Sequence, residues 1–107
     1  MKPLRMTEVH SKRVDVSDIA ALIQRLLPDQ GCIEVQRDVP GREHGWHMHE
    51  VDETIVVIDG ELRFYWDDGE QLCGPGDVVS LPAKTRHGSI AQDRGATYLI
   101  AFQPVRI

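Results

Sequence analysis

The 107-residue sequence predicts an all-β fold, a barrel or sandwich of short strands preceded by one short helix. Three observations predict it. From Cys32 onward, short stretches rich in β-branched and aromatic residues alternate with turn signals. Those signals, Pro40-Gly41, Asp59-Gly60, Asp68-Gly69, Gly74-Pro75-Gly76-Asp77 and Asp93-Arg94-Gly95, recur at the spacing of many short strands, as in a sandwich or barrel. Apolar residues at helical spacing occur before Pro28, where they suit one short helix.

Met1 to Val14 has alternating character and no turn to anchor it, so it reads as an N-terminal strand. The spacing of Ile19, Leu22, Ile23, Leu26 and Leu27 predicts a helix over Val16 to Leu27, with Ser17 as N-cap and Pro28 and Gly31 ending it. Next comes a strand in which Ile33, Val35 and Arg37 share one face and Glu34 and Gln36 the other. Trp46 to Glu50 is read as a strand, followed by Glu53 to Ile58. Asp59-Gly60 predicts a hairpin, because both turn positions tolerate positive φ. Glu61 to Trp66 returns, with Leu62, Phe64 and Trp66 on a core face and Arg63 and Tyr65 opposite. After the turn at Asp68-Gly69, Gln71 and Leu72 form a short strand, and Val78 to Leu81 is extended. Pro82 to Arg86 is a loop, His87 to Ala91 a strand, and Ala96 to Gln103 the last long strand.

The residues that carry chemistry are His47, His49, Glu53 and His87. On a strand, His47 and His49 point to the same side, with Met48 turned the other way as core or interface packing. Glu53 follows after a gap long enough for a tight turn to return its carboxylate to them. His87 follows a proline-containing loop. Three imidazoles and a carboxylate suit a divalent transition metal such as Fe, Mn, Ni, Cu or Zn. The imidazoles must be neutral to ligate. Without the surrounding pattern, a His-x-His pair is as readily two unliganded histidines, and Glu53 one more solvated acid like Glu50 and Asp52.

The spacing Gly41, His47, His49, Glu53, Gly60 resembles the first sequence motif of the cupin family at every signature position. A second motif is partly present in Gly76, Pro82 and His87. The family usually has Gly where this chain has Lys84 and Asn where it has Ala91. Both departures fall at turn and support positions. The resemblance implies a small RmlC-like cupin with a double-stranded β-helix, or jelly roll. It implies one domain over residues 1–107, with a strand and helix in 1–30 and the barrel in 31–107. It also implies that His47, His49, Glu53 and His87 are the metal ligands. Cupins include dioxygenases, isomerases, lyases, decarboxylases and sugar-binding or sensor domains, so fold does not choose among them. An enzyme acting through the metal on a small polar metabolite, dioxygenase-like, is one expectation. A non-catalytic binding or sensor module, or a metal-dependent isomerase or lyase, is the alternative.

Other residues keep two readings. Arg37 is a surface charge, or an anchor for a substrate carboxylate if its face lines the barrel. His44 lies outside the motif and reads as a loop histidine at the barrel mouth or a proton shuttle. Tyr98 packs in the sheet or offers a phenol near the site. Cys32 and Cys73 are expected to remain two thiols. The net charge of −5 and scattered Lys and Arg give no basic stripe for a nucleic-acid partner. Neither a membrane-spanning apolar run nor a signal peptide is visible, so the expected location is the cytoplasm. So short a chain has a limited core, which leads us to expect a homodimer.

Overall fold

Two long strands organise the molecule. The computed structural model describes residues 5–107. The chain runs β1 (Glu8–His10), α1 (Ile19–Leu26), β2 (Glu34–Asp38), β3 (Glu43–His47), β4 (Glu53–Trp66), β5 (Gly69–Cys73), β6 (Val78–Leu81) and β7 (His87–Ala101). All pairings are antiparallel. The first half of β4 pairs with β6 on one side and with the second half of β7 on the other, Val56 meeting Val78 and Leu99. The second half of β4 pairs with β5 and with the first half of β7, Phe64 meeting Gln71 and Ser89. The order β1-β6-β4-β7-β2 makes one layer, and β5-β4-β7-β3 makes the other. The two long strands pass from layer to layer, which is the jelly-roll arrangement expected from the sequence. Of the proposed N-terminal strand, residues 1–4 lie outside the described residues, and Glu8–His10 pair with β6.

The passage between layers corrects two turn assignments. Asp59-Gly60 is no hairpin. Ladder pairing with β7 continues on both sides of it, and the register shifts there. The dipeptide therefore bends one strand rather than ending it. Gly60 has φ +71, and a Cβ on it would stand 2.1 Å from the Gly95 carbonyl oxygen. Only glycine lets the two backbones come so close. Asp93-Arg94-Gly95 is likewise an irregular stretch within β7 rather than a turn between strands, since four β7 residues separate the partners of Gly60 and Leu62, Ala96 and Ala91. The β4–β5 hairpin turns on Asp67-Asp68, one residue earlier than predicted, with Trp66 opposite Gly69.

Helix α1 begins three residues later than its apolar spacing suggests. Asp18, not Ser17, is the N-cap, because its carboxylate accepts from the Ala21 amide at 3.1 Å. The Ser17 amide is instead tied to Asp15 at 2.8 Å in a turn. Leu27 leaves the helix at ψ 135, as a residue preceding proline tends to.

Alternation along the strands divides the core in two. Between the layers lie Ile55, Val57, Leu62, Phe64, Val79, Leu81 and Tyr98. Behind the first layer, Val56, Val78, Leu99 and Ala101 meet Leu22 and Leu26 of α1. The helix thus covers the outer face of one sheet, and the inner face is left to form the barrel interior. Cys73 is buried and Cys32 exposed, both free. Burial pushes the Cys73 thiol up to about 12, so it stays protonated at neutral pH. Among the described residues no helix is long and apolar enough to cross a membrane.

Candidate metal centre

His47 ends β3, His49 follows just beyond it, and His87 opens β7 directly opposite His47 in the ladder. The predicted strand Trp46–Glu50 is displaced. Residues 43–47 make the ladder, and past His47 the chain leaves it, where the His49 carbonyl accepts from the Lys84 amide at 2.7 Å. The two rings still lie 4.9 Å apart, and His47 and His87 are 4.3 Å apart between centroids. One potential ligand nitrogen from each of the three lies within 4.8 Å of the others. Met48 is not core: it is 48% exposed.

Hydrogen bonds set the tautomers. Nδ1 of His47 donates to the Gly45 carbonyl at 2.5 Å, and Nδ1 of His87 donates to the Thr85 carbonyl at 2.8 Å. Each ring is thereby left with its Nε2 lone pair for a ligand. Nδ1 of His49 contacts Glu53 Oε1 at 2.5 Å. The donor set therefore fits a divalent transition metal: two imidazoles are held as a metal-binding ring requires, and a third stands beside them on a carboxylate.

Burial lowers the affinity of His87 for a proton, and the neighbouring His47 and His49 add to this against the Thr85 bond. A neutral imidazole, the form that ligates, is favoured. Glu53 is 3% exposed, and burial pushes its carboxyl up, with His49 and His47 opposing and Glu34 adding to the rise. The structure sets Glu53 against His49 rather than within the three-nitrogen group.

A cavity of about 200 Å³ adjoins the histidines. Ile55, Leu62, Phe64 and Ile100 give it apolar walls, and Gln36, His44, Ser89 and Tyr98 give it polar ones. Phe64 stacks on the His87 ring at 5.6 Å and 19°. Leu62 and Phe64 are thus core residues that also face the cavity. His44 is a strand residue on the cavity wall rather than a loop residue at the mouth, with Nε2 3.0 Å from Asp38 Oδ1. Tyr98 packs in the core and lines the cavity as well, donating to Asp38 Oδ2 at 2.8 Å. Arg37 is exposed, a surface charge.

The sequence reading missed Asp38. It is 4% exposed. Burial would raise its carboxyl, but hydrogen bonds from His44, Gln36 and Tyr98 outweigh this and hold it below the usual carboxylate range. Its one local signal is strand alternation, which puts it in phase with Gln36 rather than with Val35. Asp52 was also misjudged as solvated. It pairs with Arg5 and accepts from the Ala83 amide at 2.8 Å, which keeps its carboxyl low. Glu50 is exposed, as expected.

The departures from the second motif have local explanations. Lys84 sits at φ 63, the left-handed region that glycine enters without strain and other residues enter at a cost of about 1–2 kcal/mol. Ala91 is 1% exposed and engages the chain through its backbone, its amide donating to the Arg42 carbonyl at 2.9 Å.

A family model described as a cupin domain matches residues 34–102. Several solved structures are similar. One is a protein of unknown function from Rhizobium leguminosarum, 25% identical, covering 67% of this chain and 68% of that one, with a TM-score of 0.63. A DMSP lyase from Ruegeria pomeroyi is 25% identical over 67% of this chain and 37% of its own, with a TM-score of 0.64. An oxalate decarboxylase from Bacillus subtilis, described with Mn(II) centres, is 26% identical over 68% of this chain and 21% of its own, with a TM-score of 0.60. The chain therefore spans about a third of that lyase and a fifth of that decarboxylase. No curated protein matches.

Proposed function

Because this chain belongs to the cupin family, we propose that His47, His49 and His87, with Glu53, hold one divalent transition metal and that the protein is an enzyme acting through it on a small polar metabolite. The observation that carries the reading is the commitment of Nδ1 of His47 and His87 to backbone carbonyls, which reserves their Nε2 atoms. Glu53 suits the fourth position: it lines the cavity, and a cation beside it would offset the cost of burying its carboxylate. Such a metal would polarise a ligated substrate oxygen and, where redox-active, exchange electrons with dioxygen. The chain's own part is positional. Phe64 braces the His87 ring, the apolar walls limit water, and Gln36, His44 and Tyr98 orient polar groups of the ligand. The cavity is smaller than the roughly 300–1,000 Å³ of pockets for drug-sized ligands, which favours a small metabolite.

We assign this enzyme a dioxygenase-like reaction. A lyase or decarboxylase reaction that needs no oxygen is the second reading, supported by the likeness to the lyase and the decarboxylase. Reconstituting the metal-free protein with Fe(II), Mn(II), Ni(II) or Zn(II) and screening small acids and diketones separates them. The expected result is turnover with oxygen uptake only in a redox-active form, abolished by His87→Ala. Turnover that survives with Zn(II) and without oxygen selects the second reading. Ligand binding with no turnover in any form makes the protein a binding or sensor module.

We also propose that the chain works as a two-fold dimer. Strand β2 stands at the end of the first layer, an edge strand with two exposed valines, Val35 at 64% and nearby Val39 at 67%, that a second copy would cover. Light scattering coupled to size exclusion should give twice the 12.1 kDa chain mass. A monomer at micromolar concentration overturns this.

A further inference from the structure

We propose that the polar wall of the cavity selects a ligand bearing a hydroxyl group, a small 2-hydroxy acid or vicinal diol, and that Asp38 is the positioning residue that makes it selective. This rests on the metal reading above. Asp38 does not line the cavity; it receives the donors of three residues that do. Its Oδ2 accepts from the Tyr98 hydroxyl at 2.8 Å. Its Oδ1 lies 3.1 Å from the Gln36 amide nitrogen and 3.0 Å from His44 Nε2. An ionised carboxylate only accepts, so each partner turns a donor hydrogen toward it.

The consequence lies on the cavity side. With its hydrogen on Nε2, His44 keeps Nδ1 as an acceptor, and among the described residues that atom has no hydrogen-bond partner. Tyr98 donates its hydroxyl hydrogen to Asp38, and its oxygen, which also meets the Ser89 side chain, keeps acceptor capacity. Gln36 keeps its carbonyl oxygen and one N–H. The wall is therefore rich in acceptors. A ligand hydroxyl finds a partner at any of these acceptors, whereas a ketone or ether oxygen finds only the remaining Gln36 N–H among lone pairs. A site built around hydrogen-bonded polar groups discriminates strongly against ligands that leave those groups unpaired. A two-oxygen ligand that engages the metal and this wall together finds more partners there when one oxygen carries a hydrogen.

Lactate and pyruvate differ by one hydrogen on the second carbon and one on its oxygen, and are close in size. They are titrated calorimetrically into Mn(II)- or Zn(II)-loaded protein whose metal content has been verified. Wild type should bind lactate more tightly by about tenfold, the worth of one hydrogen bond. Asp38→Asn places an N–H where a second acceptor oxygen stood, so one neighbour must turn its donor outward. The preference should fall to within about twofold with metal content unchanged. A merely structural role would weaken both acids alike and leave their ratio intact. Should Asp38→Asn fail to fold, His44→Ala carries the test, because that side chain is 30% exposed and its removal disturbs little packing. It too should lose most of the preference. Metal-loaded wild type that binds neither acid, binds both equally or prefers pyruvate overturns this inference and leaves the metal reading standing. So does a His44→Ala protein that keeps the full preference. Wild type that takes up no metal overturns both.

Discussion

Replacing His49 with alanine should strip the protein of its metal. His49 suits this test because its side chain is 42% exposed and little packing depends on it. Its imidazole lies 4.9 Å and 5.3 Å from the His47 and His87 rings and contacts the Glu53 carboxylate, so its loss removes one of the proposed ligands and the hydrogen-bond partner of another. Loss of a residue that only supports a ligand costs about 10–100-fold in metal affinity, and loss of a ligand itself should cost at least that. Elemental analysis should read near one divalent ion per chain for wild type and a small fraction of that for His49→Ala, with His87→Ala behaving alike. On the proposed reading the folded protein binds the ion and the unfolded chain lacks the site, so metal should add to stability. At a free concentration a hundredfold above Kd this is about 2.7 kcal/mol. Chelation of wild type should then lower Tm by about 10–20 °C, whereas His49→Ala should not respond to the chelator. Equal metal content in wild type and a His47→Ala, His49→Ala double variant would sink the assignment.

Phe64→Ala should cost the fold about 3–5 kcal/mol, a large share of the roughly 5–15 kcal/mol that holds a domain together. Phe64 is 2% exposed at the centre of the inner core, its ring against His87 on one side and 5.9 Å from Trp66 on the other. Truncation loses the burial of the ring and leaves a cavity that rigid strands on both sides cannot close. Urea denaturation should show the midpoint fall, with Tm lower by about 15–30 °C. Phe64→Leu retains most of the volume and should cost far less. The truncated variant should also hold metal more weakly at temperatures where it is folded, because the His87 ring loses the surface that fixes its plane. A change in stability below about 1 kcal/mol would contradict the placement of Phe64 in the core.

Much of this is legible in the sequence. The alternation of Leu62 and Phe64 against Arg63 marked the inner face of β4, and Leu22 and Leu26 marked the buried side of α1. The spacing of His47, His49 and His87 was enough to suggest a cluster, and their nitrogens do come together. The errors arose where local chemistry is ambiguous. Ser17 and Asp18 are both good caps, and only the geometry of the Asp15 turn decides between them. Met48 lies between two inward histidines, so alternation alone turned it toward other packing. It lies beyond the end of the β3 ladder and is half exposed, outside the core.

What the sequence determined by itself is whatever depends on near neighbours: the strand and helix periods, the apolar faces, and ligand-type residues at a characteristic spacing. Side-chain direction follows from backbone period, and that is a local property. Tertiary structure decided the rest. Asp59-Gly60 has the same turn propensity in a hairpin as in a bulge, and only the partner strand β7, pairing on both sides of it, makes it a bend. Asp38 is one of seventeen acids in the sequence, and its phase with Gln36 in strand alternation is all that marks it locally. It matters because Tyr98, sixty residues away, donates to it in the interior, where a buried carboxylate must be satisfied by whichever donors the fold brings within reach.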